Sequence, residues 1–310
     1  MAQKIFKTID EQITILRDKG LIINNVDFAK ERLFKENYFF ISGYRHLFME
    51  NSRIGFFNPG TTFEELYAMF VFDRRLRNIM FKNILIIENN IKSIISYQMS
   101  RKYGYKEKEY LNPKNFTNDS LKVRQVHDIL DKMKRQIRVN GRQHAATQHY
   151  ISNYGYIPMW ILVKVLSFGI VSELYCILKD EDKSAISSTY GLDTETLSIY
   201  LAILSNFRNL CAHEDILYDH RTQRQIPDCE YHYKLDITMV NDDYIYGKND
   251  LFAVVIIMKY MLSEKEFRNF INEISYEVDY MEAKIQSVPF INILNKIGFP
   301  VNWRDIITLD

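Results

Sequence analysis

From Leu66 onward apolar side chains return every three or four residues, at Met69, Phe70, Leu76, Ile79, Ile84, Ile87, Ile91 and Ile94. That period predicts a single long helix from about Phe63 to Arg101, opened by a capping-box pattern in which Thr62 is followed three residues later by Glu65. At ~1.5 Å per residue it approaches 55 to 60 Å, so a bend or an interruption is expected. Upstream, Ile13 to Lys19 and Asp27 to Asn37 read as short amphipathic segments, with Asp27 as a cap for the second. The aromatic stretch YFFISGYRHLF follows, and Pro59-Gly60 punctuates its end. Residues 1–60 therefore read as a small helical lobe and 61–310 as a helical bundle with C-terminal helices, the two forming one compact unit.

Beyond Gly104 and Pro113 lies the basic segment LDKMKRQIRVNGRQHAATQHY, in which Asn140-Gly141 marks a turn or helix end. In YGYIPMWILVKVLSFGIVSELYCIL, Pro158 suits a first helical turn and Gly169 permits a bend or a close approach. Asp193 caps a further helix with Leu197, Tyr200, Leu201, Leu204 and Cys211 on its buried stripe. Glu230 to Met239 alternates at Tyr231, Tyr233, Leu235, Ile237 and Met239, the period of a strand or hairpin. Asn249 to Leu262 and Ser263 to Ala283 predict two more helices, the second opened by the capping box Ser263 to Glu266. The fold class is all-α with one small β-hairpin, and no internal repeat suggests a solenoid.

Composition agrees with that reading. Glycine (11) and proline (6) are scarce beside tyrosine (21) and phenylalanine (20), which favours long helices packed through aromatic rings. The net charge of +1 steers the molecule toward no partner, but the charge is unevenly placed. Leu121 to Tyr150 carries seven Lys/Arg against two Asp, and Val240 to Glu282 four basic against nine acidic residues. Lys132, Lys134, Arg135, Arg138 and Arg142 are thus candidate contacts for a phosphate backbone, with a solvated helix face as the alternative. Cys176, Cys211 and Cys229 lack CxxC spacing and indicate neither a disulfide framework nor a zinc site. His144 and His149 lack suitable carboxylate or thiol partners, so no metal and no cofactor is expected. The amino terminus lacks the apolar core of a signal peptide and no run of ~18 apolar residues occurs, so a soluble cytoplasmic protein with no membrane partner is expected.

The stretch FRNLCAHEDILYDH concentrates the candidate chemistry. Asn209 and His213 are four apart and share a helix face, so Asn209 can hold the imidazole. Arg208 starts on the buried stripe and is about 140° around the helix from His213. An imidazole can relay a proton from a ribose 2′-hydroxyl or to a leaving oxygen, and a guanidinium grips phosphate at two points. That is metal-independent RNA cleavage. The competing reading is a polar helix end, since an Arg followed five to seven places later by His occurs three times in the chain.

Three other sets of residues have both a structural and a functional reading. In Phe72-Asp73-Arg74-Arg75-Leu76-Arg77 the charges pair along one helix, brace the bundle or touch RNA. Glu88 and Asn89 interrupt an apolar run, as buried hydrogen-bonding groups or as supports of the site. Tyr154, Tyr156 and Trp160 read as core aromatics rather than a base-stacking platform.

RNLCAH matches the RN-x-x-x-H motif of the HEPN superfamily of helical ribonucleases, and the chain resembles the Abi-like (AbiD/AbiF) abortive-infection branch of that group. The resemblance extends through LRDKGLII with FFISGYRHLF, GTTFEELYAMFVFDRRLRNIM with IIENNIKS, IPMWILVKVLSFGIVSELY and GFPVNW, from about Ile15 to Trp303. It implies a HEPN-type bundle and an endoribonuclease toxin of an anti-phage system. Arg208 and His213 would then be catalytic in a cleft between two bundles, with Asn209 positioning the histidine. One motif per chain then implies a homodimer, with a regulatory small RNA or an antitoxin as a further partner. A non-catalytic RNA-binding scaffold is the alternative, and bulk composition leaves room for a purely structural protein. The chain departs from the family pattern at Lys164, where an acidic residue is usual, so any role of that carboxylate is unfilled here.

Overall fold

The computed structural model describes residues 5–49, 55–141 and 143–309. Helices α1 (Ile9–Asp18), α2 (Val26–Glu36) and α3 (Tyr38–Ser42) lead into the long α4 (Phe63–Tyr103). Then come α5 (Glu107–Tyr110), α6 (Val123–Asn140), α7 (Ala145–Tyr154), α8 (Met159–Val165), α9 (Phe168–Ile177), α10 (Asp180–Ser187) and α11 (Thr194–Ala212). The C-terminal part holds α12 (Glu230–Lys234), an antiparallel pair β1 (Met239–Val240) and β2 (Asp243–Tyr244), α13 (Leu251–Met261), α14 (Glu264–Glu282) and α15 (Phe290–Ile297).

Helix α4 is the axis of the bundle. It runs 41 residues without the expected interruption, about 60 Å at 1.5 Å per residue. Its length is supported on several sides, because α8, α11 and α14 all pack against it. Both halves of the Thr62–Glu65 capping box form, and the other Glu65 oxygen accepts from the backbone N–H groups of Gln286 and Ser287, tying the helix start to the C-terminal segment. At the opposite end Gly104, with φ +90°, terminates the helix.

The local signals located most elements, with four differences. Asn25 rather than Asp27 caps α2, accepting from the Phe28 N–H, and Asp27 lies in its first turn. The break in the second apolar segment falls at Leu166-Ser167, where Ser167 caps α9, and Gly169 lies inside α9 facing Ser205 of α11. The first half of the alternating segment is helix α12, and the hairpin begins only at Met239. Buried Tyr231 and Leu235 satisfy a period of two and an i,i+4 spacing equally well, and Tyr233 between them points to solvent. Finally, Tyr154 and Trp160 are not core residues, being 58% and 42% exposed.

The charged block FDRRLR joins α4 to two other elements. Arg74 pairs with Glu36 of α2 at 3.3 Å, Arg75 with Glu277 of α14 at 2.9 Å, and Arg77 with Asp73 in the core. Of the readings open from the sequence, bracing is the one these contacts display. The GFPVNW segment has an equally direct role. Gly298 has φ +100°, and a Cβ there would lie 2.4 Å from the carboxyl group of Asp250, which caps α13. Glycine alone fits, and it lets Phe299 pack on Phe252 and Trp303.

Candidate active site

Helix α11 places the three motif residues. Asp193 caps its start through the N–H groups of Glu195 and Thr196, and burial of Leu197, Tyr200, Leu201, Leu204 and Phe207 fixes its rotation. Asn209 and His213 are consequently exposed on one face at the C-terminal end, while Arg208 points sideways toward α4. His213 is the C-cap residue, its backbone N–H donating to the Asn209 carbonyl at 3.0 Å. Among the described residues, the side chains of Asn209 and His213 have no hydrogen-bond partner and make no hydrogen bond to each other. The orienting role assigned to Asn209 is therefore not displayed in the isolated protomer.

Arg208 is held from behind. Its Nε donates to Glu88 Oε2 at 3.3 Å, and its guanidinium carbon lies 5.5 Å from the Phe81 ring centroid. Glu88 is buried on α4 and also accepts from Lys92 Nζ at 2.6 Å through Oε1. One carboxylate thus sits between two cations. The Arg208 side chain remains 28% exposed, and among the described residues neither terminal nitrogen has an acceptor. A fork fixed through Nε with both terminal NH₂ groups unengaged is suited to receiving a phosphate. Glu88→Gln leaves Lys92 and Arg208 facing each other without a counter-ion. It is expected to lower unfolding stability by about 2 kcal/mol, read as a lower midpoint in a denaturant titration.

The segment after the motif is fixed by a buried ion pair. Asp73 Oδ2 accepts from Arg77, from the Tyr44 hydroxyl at 2.7 Å and from the Leu217 N–H at 3.1 Å. Arg77 also donates to the Asp215 carbonyl at 3.2 Å. The chain two to four residues past His213 is therefore anchored on α4 and on the GYR turn of the N-terminal lobe. Cys211 lies beside this cluster, and burial pushes its thiol up to about 12, which rules it out as a nucleophile at neutral pH.

Sequence reasoning passed over His220. Its Nε2 lies 2.6 Å from Asn206 Oδ1 and its ring packs edge-on to Phe207 at 5.1 Å. Partial burial lowers its pKa, which favours the neutral form of the ring. Asn206 precedes His213 by seven residues, two turns or about 10 Å along α11, so the pair is seated two turns back from the motif histidine. The only signal for this pair was an asparagine two turns before the motif histidine.

The proposed RNA-contacting residues divide. Lys132 pairs with Glu173 at 2.6 Å and Lys134 with Asp131 at 3.3 Å. Arg135 and Arg138 are exposed and have no carboxylate partner among the described residues; Arg142 lies outside those residues. Lys132, Lys134, Arg135 and Arg138 lie on α6, which packs on α8 and α9 rather than on the motif end of α11.

The fold and site define an all-α protein whose central helix orients an Arg-Asn…His constellation at the end of a second helix. A family model described as Abi-like protein matches residues 31–219, a span that includes the GYR turn, α4 and the whole motif. The chain belongs to the Abi-like protein family, which is associated with abortive infection. Comparison with curated proteins and with solved structures returns no match. Among the described residues, no helix is long and apolar enough to cross a membrane.

Proposed function

We propose that this protein is a metal-independent endoribonuclease of an anti-phage abortive-infection system, acting as a homodimer. The observation that carries the reading is the pre-positioned Arg208 guanidinium, fixed by Glu88 and with neither terminal nitrogen engaged among the described residues, beside exposed Asn209 and His213. In the reaction one His213 takes the proton of the ribose 2′-hydroxyl as its oxygen attacks the adjacent phosphorus, the bond to the 5′-oxygen breaks, and the His213 of the second copy gives the leaving oxygen a proton. Arg208 balances the charge that builds on the non-bridging oxygens. One motif per chain supplies one imidazole, so a second copy completes an acid–base pair, and the exposed helix end leaves room for it.

The products distinguish this chemistry from hydrolysis by a metal-bound water. Purified protein incubated with RNA in excess EDTA should yield 2′,3′-cyclic phosphate and 5′-hydroxyl ends. RNA that stays intact between pH 6 and 9, or that is cut only when a divalent ion is restored, would overturn the proposal. A second reading, a non-catalytic RNA-binding module, is favoured by exposed Arg135 and Arg138, which have no carboxylate partner among the described residues. Salt-dependent binding without cleavage is its signature.

A further inference from the structure

Five aromatic side chains form a surface belt where α7, the start of α8 and the turn after α4 meet. Tyr105 lies 5.7 Å from Tyr156 and 5.9 Å from Trp160, and Tyr154 lies 5.4 Å from Tyr150 and 6.4 Å from Tyr156, centroid to centroid. Lys106 sits over two of the rings, 5.9 Å from Tyr105 and 5.3 Å from Tyr156. Rings of this size clustered on a surface leave apolar area in contact with water that a bound partner would cover. The Trp160 indole N–H makes a 3.4 Å contact with the Tyr150 hydroxyl.

The stretch around the belt is predominantly basic. From 132 to 172 the chain contains six Lys/Arg and no Asp or Glu, and the flanking carboxylates Asp131 and Glu173 pair with Lys134 and Lys132, leaving Arg138 without a carboxylate partner among the described residues. Lys134 and Arg138 of α6 border a groove of about 410 Å³ shared with α5, which begins directly after Tyr105-Lys106. The two carboxylates nearest the belt in sequence are already engaged with backbone, Glu107 with the Ile157 N–H and Glu109 with the Lys106 N–H.

We infer that this belt, with Lys106, Lys134 and Arg138, is a binding platform for single-stranded RNA, separate from the motif at the end of α11. Unpaired bases stack on Tyr154, Trp160 and Tyr105, and the connecting phosphates follow the cations. A wholly apolar protein partner would leave the cations without a counterpart, and duplex RNA would offer no free base faces. The inference takes from the proposed function only that RNA is the ligand. It places that ligand roughly 25 Å along α4 from the Glu88–Arg208 contact, since Tyr105 follows Glu88 by 17 positions at 1.5 Å each.

The protein carries its own reporter. It has two tryptophans, and Trp303 is 2% exposed in the core, so quenching by added nucleic acid reads Trp160. The full chain carrying His213→Ala is titrated with an oligouridylate of about a dozen nucleotides, and cleavage by the parent protein is assayed in parallel. Saturable quenching is expected, weakened roughly tenfold to hundredfold by Tyr154→Ala and reduced in salt dependence by Arg138→Glu. Lys265→Glu, the same charge change at an exposed position on α14, should leave it unaltered. A base-paired duplex of equal length should not quench. Oligouridylate bound without quenching, or bound equally by the Tyr154 variant, overturns the platform and leaves the proposed cleavage standing. Quenching by a protein that cuts no RNA keeps the platform and removes the enzyme.

Discussion

His213→Ala is expected to lower the rate of RNA cleavage by about 10² to 10⁴, the range for loss of one acid–base group. The fold should survive unchanged. The ring is exposed and has no hydrogen-bond partner among the described residues, while the bond that closes the helix, from the residue 213 N–H to the Asn209 carbonyl, belongs to the backbone and persists in alanine. The measurement is the initial rate on an end-labelled transcript, beside a thermal melt of the same preparation. A correctly folded variant that cuts as fast as the parent would remove His213 from the chemistry. A loss of rate accompanied by a lower melting midpoint would indicate damage to the helix end rather than to proton transfer.

The second large effect is structural and reaches the same site from below. Arg77→Ala leaves Asp73 in the core without its guanidinium, and breaking a buried pair from one side costs about 3 to 5 kcal/mol. For a chain of this size that lowers the melting midpoint by on the order of 10 °C. Arg77 is also the donor to the Asp215 carbonyl, so the variant should free the segment behind His213 and raise hydrogen exchange there before the rest of α11 opens. The double change Asp73→Leu with Arg77→Met removes both charges and should recover much of the lost stability. If the single and double variants melt together, the pair is not the anchor.

These two experiments separate what Arg208, Asn209 and His213 do from what holds them. The Glu88–Lys92 pair orients Arg208 through Nε, and the Asp73–Arg77 pair fixes the chain leaving His213. Both pairs are i,i+4 on α4, spaced along the face that α11 packs against. A single long helix therefore supports both ends of the site, which gives a physical reason for a helix of 41 residues to run uninterrupted.

Much of this was legible in the chain. The start of α4, the caps at Asp193 and Ser263, and the buried stripe of α11 follow from contacts within one or two helical turns, which sequence order alone specifies. The shared face of Asn209 and His213 follows from the same arithmetic, and the sideways direction of Arg208 from its place on the buried stripe. Glu88 was visible as a polar interruption of an apolar run, without its partner.

What tertiary structure alone decided were pairings across distance and the fate of ambiguous side chains. Glu88 meets Arg208 across 120 positions and Asp73 meets Leu217 across 144, and no local period says which helix faces will touch. Tyr231 and Leu235 fit a strand and a helix alike until packing chose. Tyr154 and Trp160 have the composition of a core, yet Tyr and Trp combine an apolar body with a polar tip and serve in cores and at interfaces alike, and only the placement of α7 and α8 left them facing water.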